Sequence, residues 1–325
     1  MKYIENDSVN PYFNLALEEF LLGNATEEDL LLLWQNDNAV VVGRYQNTAQ
    51  EINEPFCREN GIRIARRNTG GGAVYHDLGN LNFSMIANYK QGDDISFGRF
   101  LSVIRGALRK LGVNAELRGR NDLVVDGLKI SGSAQTISKG RILHHGTLLC
   151  CSDLDKLSGA LQNDPDKFKS KAVGSVRTRV ANIQDFNSEV TVGLLKDRLL
   201  SEFGAAAFIK RYELTAEDIT AVTSLQKNKY ETWQWNFGKS PAFNYCEKKR
   251  FPLGTVAVKT FVEEGIIRQC AITGDFLGCM DITDVEVALI GTKWLFKDVA
   301  ACLALFDSRL YFGGISSDDV AGCFF

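Results

Sequence analysis

Two short turns confine the fold. Between Val113 and Cys151 the chain reads as a β-meander: Leu123-Val124-Val125 runs into Asp126-Gly127, Leu128 to Ala134 follows, Lys139-Gly140 makes a second turn, and Ile142 to Leu149 returns. A two-residue turn leaves no room for a crossover, so the strands it joins are antiparallel. That argues against a doubly wound parallel sheet.

The flanking segments alternate helices with short strands. Asn10 and Pro11 open a helix that Gly23 can end, with Phe13, Leu17, Phe20 and Leu21 as its buried face. Leu30 to Trp34 and Ala39 to Val42 read as central strands, Glu54 to Asn60 as a short helix, and Leu81 to Ala87 as a strand. Ser96 caps an amphipathic helix to Leu111 with Phe100, Val103, Ile104, Ala107, Leu108 and Leu111 on one face. Further helices are expected at Leu154 to Leu161, at about Val190 to Phe203, and from Thr215, where Thr215-Ala216-Glu217-Asp218 has the capping-box pattern. Aromatic residues and turn formers from Trp233 to Pro241 break all periodicity, which suggests a boundary: a domain over 1–245 and a smaller one over 246–325. The latter has strands at Gly254 to Val262 and Ile266 to Thr273 around Glu263-Glu264-Gly265, then short helices from about Asp284, Lys297 and Ser317.

Chemistry is concentrated in Arg66-Arg67-Asn68-Thr69-Gly70-Gly71-Gly72-Ala73-Val74-Tyr75-His76-Asp77. Three consecutive glycines let a backbone approach a ligand closely, and successive N–H groups can cradle an anion. Two arginines offer forked donors for phosphate or carboxylate; the plain alternative is a loop with solvated arginines. Neither common nucleotide loop is present. The only Gly-Lys-Ser, at 238–240, has Trp233 where a P-loop needs its first glycine, and Tyr75 stands at the third glycine of a Rossmann fingerprint.

Other residues stay open on pattern alone. Lys129 follows a hairpin turn among apolar neighbours, either aimed into a cleft or solvated on an edge strand. Asp122 is a Mg²⁺ candidate or a turn residue, and one of His144 and His145 lines a pocket or sits satisfied in a core. The basic, hydroxylated segment Lys171 to Val180 can fold over a phosphate or be a linker. No H-x-x-x-H, Cys/His cluster or G-x-S-x-G elbow exists. Eight cysteines without C-x-x-C spacing read as reduced, mostly buried thiols of a cytoplasmic protein, and Cys150-Cys151, with only Asp153 nearby, as buried structural thiols. A net charge of −3 without a basic tail disfavours nucleic acid, and no apolar run is long enough to cross a bilayer.

Taken together, the glycine stretch, Gly119-Arg120-Asn121-Asp122-Leu123, Lys129-Ile130-Ser131-Gly132-Ser133-Ala134, His144-His145-Gly146-Thr147-Leu148-Leu149, Ser175-Val176-Arg177-Thr178-Arg179-Val180 and Trp233-Gln234-Trp235-Asn236-Phe237-Gly238 resemble the lipoate–protein ligase A family, within the biotin/lipoate ligase superfamily. They stand in the family's order. The resemblance implies an α+β fold, a mixed and largely antiparallel sheet with flanking helices as in class II synthetases, and a small C-terminal α+β accessory domain. It implies that lipoate and Mg-ATP give lipoyl-AMP, whose lipoyl group passes to a lysine of a lipoyl carrier domain, such as a 2-oxoacid dehydrogenase E2 subunit or the glycine cleavage H protein. Carried over, Arg67, Gly72, Ala73, Val74, Tyr75, Lys129 and Asp122 contact ATP. Lys129, His145, Gly71 and His76 contact lipoate, with Lys129 the catalytic residue, and Lys171, Ser175 and Arg179 belong to the loop covering the adenylate. Where the family often has Lys-Gly, this chain has Lys171-Ala172. The alternatives are an octanoyl or lipoyl transferase working through a cysteine thioester, and a protein that binds lipoate or its adenylate without activating it. Biotin ligation is disfavoured because the chain lacks G-R-G-R-x-G.

Overall fold

The hairpin turns behave as their residues require. In the computed structural model, which describes residues 1–23, 28–161, 179–206, 208–237 and 245–325, Asp126 and Gly127 have φ of 50° and 81°, and Lys139 and Gly140 have 49° and 72°. Positive φ at both central positions is the twist that joins antiparallel strands without splaying them. The turns connect β8 (Asp122–Val125), β9 (Leu128–Ser138) and β10 (Arg141–Leu149). A third turn of the same kind, at Glu264-Gly265, joins β13 (Gly254–Glu263) to β14 (Ile266–Gly274).

The meander supplies three strands of an eight-stranded sheet. Its remaining strands are β1 (Lys2–Ile4), β2 (Leu30–Trp34), β6 (Asn80–Asn88), β7 (Glu116–Arg118) and β11 (Lys210–Tyr212), in the order β11-β1-β2-β6-β10-β9-β8-β7. Only the pairings of β1 with β11 and with β2 are parallel. A second sheet has β3 (Ala39–Val42) between β4 (Arg63–Arg66) and β5 (Val74–His76). The third is β12 (Tyr245–Phe251), β13 and β14.

Strand alternation sends side chains of the large sheet to two cores. Leu31, Leu33, Leu81, Phe83, Ile142 and Leu148 meet the helix Phe97–Lys110 on one face. Leu30, Leu32, Ile86 and Leu143 meet the helix Pro11–Gly23 on the other. A separate core forms from β13, β14 and the helices Thr283–Leu289, Phe296–Leu303 and Ser317–Ala321, with Tyr45 inserted from the N-terminal part.

Several local expectations change. Phe13 and Phe20 are only half-buried, while the buried stripe of their helix carries Asn14 and Glu18. Ser96 holds the N-cap position without capping; its hydroxyl donates to Asp94 instead. Thr215 does form its capping box with Asp218. The thiols are less buried than composition suggests. Cys57, Cys150, Cys279 and Cys323 are buried, but Cys246 is exposed, and so is Cys151, which lies just past the end of β10.

Candidate active site

The glycine stretch bridges β4 and β5, and its two arginines divide their work. Arg66 donates through Nε to the Trp235 carbonyl, through Nη1 to the carbonyls of Gly43, Arg44 and Gln46, and through Nη2 to Thr48 Oγ1 and the Asn236 carbonyl. Nothing of its fork is left for an anion. It is a structural tie between 43–48 and 235–236, which corrects the expectation of two anion donors. Arg67 curls the loop: Nε donates to Thr69 Oγ1, Nη1 to the Val41 carbonyl, and Nη2 to the carbonyls of Gly70 and Gly72. Burial lowers its pKa to about 10, which leaves it cationic at neutral pH.

The glycines differ as well. Gly71 has φ of 90°, and a Cβ there would come within 2.8 Å of Leu277 Cδ2. Gly72 has open space around it. The backbone of Gly72 and Ala73, with Val74, lines a cavity that also takes in Arg67, Gly71, His76, Lys129 and His145. Tyr75 points away; it is buried in another core and its hydroxyl donates to Asn38 Oδ1. Lys171 and Ser175 lie outside the described residues. Arg179 is exposed, one residue before a bridge between Val180 and Lys129.

Lys129 is on no edge. β9 lies between β8 and β10, and the β8–β9 register shifts between Leu123 and Val124, opposite Ser131 and Lys129. A bulge of this kind re-aims the side chain beside it. The Lys129 side chain folds across Gly132, where a Cβ would meet its Cε and Nζ at 2.9 Å. Nζ pairs with Asp122 Oδ1 at 2.9 Å, and the side chain keeps 39% of its surface accessible. The result is an ammonium group at one end of the cavity, held by a partner yet reachable.

The two histidines are separated by the strand pleat. His144 stacks on Phe100 at 4.6 Å in the core, and burial depresses its pKa to about 3. His145 faces the cavity, with Nδ1 2.8 Å from Glu18 Oε1 and Nε2 2.7 Å from Thr69 Oγ1. A carboxylate at Nδ1 requires the proton on that nitrogen, which sets the ring's orientation. Ser84 Oγ donates to the same Glu18 oxygen at 2.5 Å and accepts from Trp34 Nε1. Glu18 escapes a reading by hydrophobic periodicity; the signal is a carboxylate four residues from Asn14 on the stripe that carries Leu15, Leu21 and Leu22. Ser133, from the Lys129 motif, also lines the cavity, as do Trp34, Asn82 and Leu277, which have no motif to announce them.

The chain as a whole has known relatives. Residues 10–204 match the lipoyl protein ligase A/B catalytic domain, and 240–324 the bacterial lipoate protein ligase C-terminus. The chain is 41% identical to lipoate-protein ligase LplJ of Bacillus subtilis over 98% of both chains, and 42% identical to lipoate–protein ligase 1 of Staphylococcus aureus over 98% of both. The chain belongs to the lipoate–protein ligase family. The structure of P. falciparum LipL1 in complex with lipoate superposes with a TM-score of 0.79 at 28% identity over 94% of each chain. A lipoate-protein ligase A bound with ATP gives 0.61 at 29% identity, over 73% of this chain and 96% of that one. The α+β architecture that the resemblance implied is thus the ligase architecture, and the chain is an enzyme of this family.

Proposed function

We propose that this cleft joins lipoate to AMP and then hands the lipoyl group to a protein lysine. The observation that carries this is Lys129 lying over Gly132 beside a cavity whose other walls are the glycine loop, apolar side chains such as Leu15 and Val41, and polar ones such as Asn121, His145 and Thr147. The lipoate carboxylate would sit against the Lys129 ammonium, which offsets its charge while one oxygen attacks the α-phosphorus of ATP. Pyrophosphate leaves and a mixed anhydride remains. The amine of a carrier lysine then attacks the acyl carbonyl, an amide forms, and AMP departs.

Arg67 supports the loop from behind, so that backbone N–H groups of Gly72, Ala73, Val74 and Tyr75 can face the nucleotide. His145 and His76, with Gly71, would flank the acyl chain. Mg²⁺ bound with ATP supplies charge neutralisation at the phosphates. Asp122 fits as the one carboxylate beside substrate phosphates that such an ion needs, because only its Oδ1 is engaged with Lys129. Arg179, next to the Val180–Lys129 bridge, is the described end of the segment we assign to covering the adenylate, together with Lys171 and Ser175.

We assign catalysis to 1–245 and an accessory role to 246–325. The acceptors we infer are lipoyl carrier domains of 2-oxoacid dehydrogenase E2 subunits and the glycine cleavage H protein, in the cytoplasm. An archaeal bipartite ligase solved in a study of that enzyme and its E2 lipoyl domain, 31% identical over 75% of this chain, supports that class of partner. Among the described residues no helix is long and apolar enough to cross a membrane. A thioester route lacks a nucleophile: no cysteine lines the cavity among the described residues, and burial pushes the Cys150 thiol up to about 12. Incubating an unmodified lipoyl domain with ATP, lipoate and this protein should add one lipoyl mass to that domain. An unchanged mass spectrum, or a gain that does not need ATP, would reject the reading.

A further inference from the structure

The segment from Gln226 to Asn236 does more than receive Arg66. Gln226–Tyr230 is a single π-helical turn, and the Glu231 N–H donates to the Gln226 carbonyl at 2.9 Å. Such a turn inserts one residue into a helix and is frequent at functional sites. Its effect here is to bring two adjacent side chains onto one carboxylate. Lys229 Nζ donates to Glu19 Oε1 and Oε2 at 2.9 and 2.6 Å, and the Tyr230 hydroxyl donates to Oε2 at 2.6 Å. In a regular helix, neighbouring side chains diverge by roughly 100°.

An ammonium group has three protons to donate. Beyond the two Glu19 oxygens, Lys229 Nζ reaches Asn68 Oδ1 at 3.1 Å, and Asn68 belongs to the glycine stretch. Nζ also lies 4.0 Å from the centre of the Trp235 ring, whose indole N–H donates to the Arg66 carbonyl. These bonds close a ring of side chains. Glu18, next to Glu19 on the helix Pro11–Gly23, holds His145 Nδ1, and Thr69, next to Asn68, holds His145 Nε2. Lys229 therefore joins, at Glu19 and Asn68, the same two segments that meet at His145. On the other side of Asn68 is Arg67, which holds the carbonyls of Gly70 and Gly72.

We propose that Lys229 is a positioning residue for the nucleotide: its ammonium ties Asn68 to Glu19 and so sets the shape of the glycine loop before ATP arrives. It acts through Asn68 and not on the reacting atoms. This rests on the reading of that loop as the nucleotide's cradle. A small misplacement of groups that orient a substrate is costly even when it originates away from the chemistry. A lysine that served the fold alone would alter stability and leave the ATP affinity of the folded protein where it was. A tie that shapes the loop alters that affinity, and breaking it from either end has the same consequence.

Calorimetric ATP binding, with the KM for ATP in pyrophosphate release, tests this in the wild type, Asn68→Ala, Lys229→Met and the double variant. Asn68→Ala leaves the Lys229–Glu19 pair intact, so it should fold normally and bind ATP about tenfold more weakly. Lys229→Met should weaken ATP binding to a similar degree, with kcat changed less than KM. The double variant should lose no more than either single change, because both break one tie. Unchanged ATP affinity in either folded single variant, or a double-variant loss equal to the product of the two single losses, would overturn the inference and leave the ligase reading intact. If Lys229→Met does not fold, Asn68→Ala decides alone. ATP binding by the wild type without pyrophosphate release would remove the ligase reading alone, and a wild type that binds no ATP removes both.

Discussion

Adjacent residues of one type take opposite duties in this protein. His144 and His145 point to opposite faces of β10, one into an aromatic core and one onto Glu18. Arg66 spends its fork on a scaffold, whereas Arg67 ties the loop to itself and to β3. Arg66→Ala would leave several buried carbonyls unpaired, and urea unfolding should show a loss of about 3 kcal/mol or more. Arg66→Lys should restore little of it, because a point charge cannot serve a fork's six acceptors. His76 and His144 have folded pKa values of about 3 against roughly 6.5 when unfolded. The unfolded chain thus binds more protons between those values, and stability, complete above pH 6.5, falls as pH drops toward 3. Each histidine adds up to about 1.4 kcal/mol per pH unit to that slope. His144→Phe should remove its share; an unaltered slope in urea titrations would contradict the assignment.

At the scale of elements, the glycine loop gives a paired prediction. Gly72→Val adds bulk into open space, so the protein should fold normally and lose ATP binding by calorimetry. Gly71→Ala forces a side chain into positive φ against Leu277 and should lower stability by about 1–2 kcal/mol. A Gly72→Val protein with normal ATP affinity would dismiss the loop as a nucleotide cradle. The meander around Lys129 is legible in sequence because turn residues and alternation are local properties. β12 is not, since Glu247-Lys248-Lys249-Arg250 masks its alternation with charge. Glu18 hides for a similar reason: a carboxylate on an apolar helix stripe looks like a break in the pattern until β10 supplies His145. The structural role of Arg66 depends on acceptors some 20 and 170 positions away, beyond any local pattern.

At the scale of the molecule, residues 276–281 link the two cores. The Phe276 carbonyl accepts from the Gly71 N–H, Tyr45 stacks on Phe276 at 5.2 Å and donates to the Met280 carbonyl, and Arg44 pairs with Asp281 at 2.6 Å. The glycine loop is thus buttressed from the C-terminal region, and Leu277 completes the cavity. Tyr45→Ala empties a buried aromatic site between the cores, at a cost of about 3–5 kcal/mol. Calorimetry should then resolve two transitions where the wild type has one; a single, merely shifted transition would argue that the contact does not couple them. All of these parts converge on one ammonium group. The most direct measurement is pyrophosphate release from ATP and lipoate by Lys129→Ala. A folded variant slower by a factor on the order of 10² or more is the predicted result, and release at a near wild-type rate would contradict the account.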